Sequence, residues 1–189
     1  DRKRFLNVRN TLSTLMDWGV IAIINENDTV AVDEIKFGDN DHLAAMIANT
    51  IEAHLLVNLT STEGLYDLNP KTSREARLIP LVQEFSDEIM EAATEETSDV
   101  GTGGMRSKIL AAQKVTAFGI PYIIAPGKHP GILARLFAGE AVGTLFLPMQ
   151  KHLTSRKHWI AFTLRGKGKL VIDDGAKRAL LEQGKSLLP

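Results

Sequence analysis

Short apolar runs without alternation, each set between stretches of helical spacing, constrain this chain more than any other feature of its sequence. Val20–Ile24, Leu55–Leu59 and Pro121–Ala125 read as strands four or five residues long. Strands that are apolar on both faces belong in a parallel sheet covered by helices, because an antiparallel sheet with one wet face shows period-two alternation instead. Between them lie the helical stretches. Phe5, Val8, Leu12, Leu15 and Met16 recur at helical spacing over residues 3 to 18, and Gly19 follows where a left-handed cap would sit. Asp39 or Asn40 can cap a helix through Ala53 that carries Leu43, Met46, Ile47 and Ile51; further helices are predicted from Met105 to Phe118, ending at Gly119, and from Pro130 to Ala138. The expected fold is therefore α/β, a three-layer α/β/α sandwich with a mainly parallel open sheet. In such sheets ligands bind beyond the carboxyl ends of the strands, so the loops starting at Asn25, Thr60 and Ala125 should face one cleft. Tyr66–Arg77 and Thr94–Gly104 read as surface loops.

After Pro148 the alternation stops, which places a boundary near Gln150, with one domain over residues 1–150 and a linker and second segment over 151–189. There Lys169–Ile172 reads as a strand, and Asp173 or Asp174 can cap a helix through Leu181. Composition narrows the function classes. The chain has 189 residues, 44% hydrophobic, enough for one substantial core, and a net charge of -1 that gives no global pull toward nucleic acid or an anionic membrane. It has no cysteine, which excludes disulfides, thiolate metal sites and thiol nucleophiles, and suits a reducing cytoplasm. No apolar run reaches membrane-spanning length and no leader pattern is present. The acidic run from Glu84 to Asp99 reads as a solvated helix face and loop.

Two clusters carry candidate chemistry. Asn25-Glu26-Asn27-Asp28 follows a strand, and Phe37-Gly38-Asp39-Asn40-Asp41 opens a helix, so carboxylates and amides gather at one sheet edge. An amino-acid substrate would use them, its ammonium seeking carboxylate and its α-carboxylate seeking amide or helix N-terminal donors; acidic oxygens there could also hold Mg²⁺. Ordinary turn and capping chemistry accounts for the same residues equally well. The second cluster, Gly101 to Lys108, opens another helix. Glycines admit an anion close to backbone N–H groups, and Lys108 lies in a first turn where the helix dipole disfavours a cation, which points to a polyanion nearby. Its spacing is not that of a P-loop, and a glycine-rich hinge is the competing reading. Phosphoryl transfer makes both clusters intelligible, since that chemistry needs positioning and charge neutralisation. His42, His54, His129, His152 and His158 lack metal-ligand spacing.

The segments Val20–Ala31 (VIAIINENDTVA), Ile35–Asp41 (IKFGDND), Leu59-Thr60 through Gly64-Leu65-Tyr66, Gly101–Lys108 (GTGGMRSK) and Val142–Phe146 resemble, in order and over the whole chain, the glutamate 5-kinase family. The resemblance implies an amino-acid-kinase fold, ATP and Mg²⁺ as cofactors, and phosphorylation of the glutamate γ-carboxylate to γ-glutamyl phosphate, the first step of proline synthesis. By matching motif it implies that Asp28 and Asn40 bind glutamate. Thr60, Ser61, Thr102, Gly103, Gly104, Met105, Arg106, Ser107 and Lys108 would bind ATP, Lys108 being catalytic beside the transferring phosphate. Asp41 is a weaker candidate for a metal or substrate role. The tail resembles the opening of a PUA domain, which argues against a bifunctional synthase.

The family commonly has Thr-Asp where this chain has Thr60-Ser61, so one nucleotide contact is expected to be lost. The family's first strand, glycine loop and lysine are expected to lie outside this chain, which should then be inactive alone. L-Glutamate and ATP are the expected partners, in a homo-oligomer of two or four subunits. Two rival readings remain. One is an RNA-binding module, with the basic run Lys151–Lys169, Trp159 and Phe162 contacting phosphates and stacking a base; the other is a non-catalytic kinase-like partner.

Overall fold

The computed structural model describes residues 2–25, 40–92, 104–149 and 171–185. Its elements run α1 (Arg2–Asp17), α2 (Asn40–Thr50), β1 (Leu56–Thr60), β2 (Leu81–Val82), α3 (Asp87–Ala92), α4 (Met105–Ala117), β3 (Tyr122–Pro126), α5 (Ile132–Phe137), β4 (Thr144–Phe146) and α6 (Asp174–Leu181). The helices fall within a few residues of the predicted bounds because their stop signals are local. After α1, Gly19 adopts φ +71° and donates to Met16, while Val20 donates back to Leu15; after α4, Gly119 and Ile120 repeat the pattern onto Thr116 and Val115. That paired closure needs a left-handed residue, which glycine adopts without steric cost.

The four strands form one sheet in the order β1-β3-β4-β2. β1 pairs parallel with β3, Asn58 standing opposite Ile124, and β2 pairs parallel with β4, while β3 and β4 run antiparallel. The sheet is thus mostly parallel, as expected. α2 and α4 pack against each other and reach β1 and β3 respectively. Small residues let them approach: Ala45 and Ala48 of α2, and Ala111 and Ala112 of α4, are all buried. Beneath them the core is closed by Ile109, Val115, Ile124, Tyr122 and Phe146. Phe146 stacks on Phe85 at 5.8 Å between ring centroids and meets the Tyr122 ring edge-on at 5.7 Å. Buried Thr144 accepts from the Leu65 backbone N–H (2.8 Å) and donates to the Ile79 carbonyl (2.7 Å), tying the loop after β1 to the chain entering β2.

Two strand expectations are corrected. Residues 20–25 join no strand among the described residues, and Ile21 and Ile23 are 90% and 98% exposed. Ala22 and Ile24 instead line a groove of about 420 Å³ with Leu43, Ala44 and Ile47 of α2 and Leu56 of β1. An apolar run becomes a strand only where a neighbouring strand takes its N–H and C=O groups, and no strand does so among the described residues; the Val20 N–H closes onto Leu15 instead. Likewise Val171 and Ile172 are exposed and outside any strand. The expected cap beyond them holds, the Asp173 carboxylate accepting from the Ala176 N–H at 2.7 Å. The boundary near Gln150 and most of the loop Thr94–Gly104 lie outside the described residues.

Candidate active site

The starts of α2 and α4 meet at one carboxylate. Asp41, in the first turn of α2, is buried and accepts from donors on three other residues. Its Oδ2 takes the Ser107 hydroxyl at 2.5 Å and the Lys108 ammonium at 2.9 Å, both from the first turn of α4. Its Oδ1 takes the side-chain amide of Asn58, from the middle of β1. The same Asn58 nitrogen donates to the Tyr122 hydroxyl on β3 at 2.8 Å. Since a carboxylate can only accept, the Asn58 amide must present its nitrogen to Asp41, and the tyrosine oxygen is then an acceptor as well. Beside Asp41, His42 Nδ1 stands 2.6 Å from Nζ of Lys114, which lies further along α4 than Lys108.

Burial, the largest influence on Asp41, pushes its carboxyl up, because a charge loses hydration there. The hydrogen bonds from Ser107, Lys108 and Asn58, with the charge of Lys108, together outweigh it and hold the carboxyl below its ordinary range. Asp41 is therefore ionised at neutral pH, at the helix N-terminus where the dipole favours an anion. It also accounts for Lys108. A cation in the first turn of α4 opposes that helix's dipole, and the structure supplies a compensating carboxylate 2.9 Å away, with the two side chains only 13% and 10% exposed.

The other predicted site residues fall around this centre. Asn40 begins α2 next to Asp41 and is exposed; Thr60 ends β1 two residues beyond Asn58, on the same face and about 7 Å along the strand. Ser61 follows, exposed, and the Gly127 N–H closes onto the Thr60 carbonyl at 2.7 Å, so the carboxyl ends of β1 and β3 adjoin. Gly104 caps α4 in an extended conformation. Arg106 is exposed, whereas the Met105 side chain lies in the core, leaving only its backbone for a ligand. Asp28, Thr102 and Gly103 lie outside the described residues. Asn58 and Tyr122 were missed by sequence reasoning. The available signal was an amide interrupting an otherwise apolar strand.

A divalent cation does not fit at Asp41, whose two oxygens already receive an amide, a hydroxyl and a fixed ammonium. Among the described residues no group of three or more His, Asp or Glu side chains is placed to hold a metal.

The amino acid kinase family model matches residues 1–126. The chain is 72% identical over its whole length to the glutamate 5-kinase of Syntrophus aciditrophicus, of which it covers 49%. It is 57% identical to those of Geobacter metallireducens and Geobacter sulfurreducens, covering 51% and 50% of them. It thus spans about half the length of the curated relatives it matches. A UMP kinase from Bacillus anthracis superposes with TM-score 0.55 at 18% identity, over 74% of this chain and 51% of that one. A carbamate kinase from Giardia lamblia superposes with TM-score 0.53 at 22% identity, over 74% and 48%. Those two likenesses show the fold.

Proposed function

Because the chain belongs to the amino acid kinase family, we propose that the protein it represents transfers the terminal phosphoryl group of ATP to the side-chain carboxylate of L-glutamate. The observation that carries this reading is the Asp41–Lys108 contact, which brings the acidic, amide-rich start of α2 against the glycine-led start of α4. The choice of glutamate is supported by likeness to relatives named for that acceptor. A carboxylate oxygen of glutamate attacks the γ-phosphorus, the bond to the β,γ-bridging oxygen breaks, and ADP leaves with that electron pair. The acceptor is already an anion, so no base is required. The protein's share is to hold the partners in line and to place positive charge where charge moves. In this reading Lys108 supplies that charge beside the transferring group, the α4 N-terminus and Thr60-Ser61 receive the nucleotide, and Asn40 with Asp28 holds glutamate.

Magnesium accompanies the nucleotide in the proposal and would neutralise phosphate charge; no step here runs through it, since Asp41 does not suit it. The cysteine-free composition fits a cytoplasmic setting, and the exposed Leu6, Val8 and Met16 of α1 fit a homo-oligomer. Nothing in the described residues favours the RNA-binding reading.

The test is hydroxylamine trapping of acyl phosphate by the full-length protein with ATP, Mg²⁺ and glutamate, against aspartate and N-acetylglutamate. Glutamate alone is expected to yield hydroxamate. Lys108→Ala should lower kcat about 10²- to 10³-fold, the scale of losing one charge-stabilising donor. Asp28→Ala should mainly raise the KM for glutamate. Variants as active as wild type would refute the assignment, and trapping with N-acetylglutamate instead would refute the acceptor.

A further inference from the structure

Asn58 is a polar side chain in the middle of a strand flanked by Leu56, Val57 and Leu59, where asparagine is a poor strand former and a half-buried amide costs stability unless it is bonded. Its amide is bonded on both sides, to Asp41 and to the Tyr122 hydroxyl. Tyr122 is fully buried and its ring is held against Phe146, so Asn58 leans on a rigid support.

The geometry explains what the amide does. Ser107 and Lys108 both hold Asp41 by the same oxygen, Oδ2, and both come from one turn of α4. Those two contacts act at a single oxygen, so they resist rotation of the carboxylate about its Cβ–Cγ bond less than contacts at both oxygens do. Asn58 holds the other oxygen, Oδ1, from a different element, and two anchored oxygens fix the carboxylate plane. We infer that Asn58, backed by Tyr122, is a positioning residue that sets Lys108 through Asp41, an inference that rests on the phosphoryl-transfer reading above. Displacements near 1 Å at a reacting centre can cost about 10²-fold in rate, so a loosened carboxylate should be visible in turnover.

Two readouts test it. In the full-length protein, Asn58→Leu should lower kcat about tenfold with both KM values within about twofold, and the same change made in Lys108→Ala should lower kcat less than about twofold, because the group it positions is gone. Tyr122→Phe, which keeps the buried ring, should give a smaller kcat loss of the same kind, about threefold, and stands in should Asn58→Leu fail to fold. The second readout needs no turnover. Lysine acylation mapped by mass spectrometry should label Lys108 more slowly than the exposed Lys128 in wild type, and Asn58→Leu should speed Lys108 several-fold while leaving Lys128 unchanged. Unchanged kcat and unchanged labelling would overturn the inference, as would an equal kcat loss in the presence and absence of Lys108. Faster Lys108 labelling in Asn58→Leu, with a wild-type protein that traps no acyl phosphate, would keep the positioning role and overturn the kinase reading instead.

Discussion

Asp41 is the residue on which most of the site's energetics turn, and its ionisation gives a pH signature. The folded carboxyl lies below its unfolded value, since its hydrogen bonds and the Lys108 charge outweigh burial. Such a group contributes stability that is fully present above the unfolded value, near pH 4, and that is lost as pH falls through the folded value. Chemical denaturation of wild type and Asp41→Asn at several pH values should therefore show their stability gap widest at neutral pH and narrowing below about pH 4. A gap that grows on acidification would mean that burial dominates after all. At neutral pH, Asp41→Ala should cost about 2–4 kcal/mol by urea unfolding, because it leaves Lys108, Ser107 and Asn58 without their shared acceptor in a nearly dry place.

At the scale of elements, the approach of α2 to α4 depends on small side chains, and the approach of β4 to β3 on one glycine. Gly143 has φ +77°, and a Cβ there would lie 2.0 Å from the Ile124 carbonyl oxygen. Gly143→Ala should destabilise by at least about 2 kcal/mol, read as a lowered urea midpoint, since both the left-handed backbone and the contact oppose it. Ala112→Leu, at a fully buried position of α4, should cost about 1–3 kcal/mol by overpacking and reduce turnover through the helix start it displaces. The helices were legible in the sequence because spacing, caps and left-handed stops are local signals, and Gly19, Gly119 and Asp173 act as read. Strands were less so. Leu56–Thr60 and Tyr122–Pro126 could be placed from their apolar runs, whereas β2 and β4 are two and three residues long and carry no periodic signal. Val20–Ile24 has a strand's composition without a ladder among the described residues, and pairing is not written in a single segment. In the site, Lys108 stood out because it opposes a helix dipole, and Asn40 and Asp41 because they open a helix. Tyr122 carried no such signal and Asn58 only that of an amide in an apolar run, since the role of both comes from the contact between β1, β3 and α2.

For the whole molecule, two parts of the chain far apart in sequence, residues 40–41 and 104–108, are brought together by the packing of α2 on α4 over a mostly parallel sheet. A net charge of -1 leaves no molecule-wide field to steer a polyanion, so charge recognition has to be local, and the buried Asp41–Lys108 pair is a local arrangement. The most direct measurement of whether that pair works as one device is a double-mutant cycle on kcat for glutamate-dependent acyl phosphate formation by the full-length protein, using Asp41→Asn, Lys108→Met and both together. Groups that act as a unit are non-additive, so the double variant should be no slower than the worse single one, within about threefold. Losses that multiply across the two sites would show that Asp41 and Lys108 contribute independently, and would contradict the account.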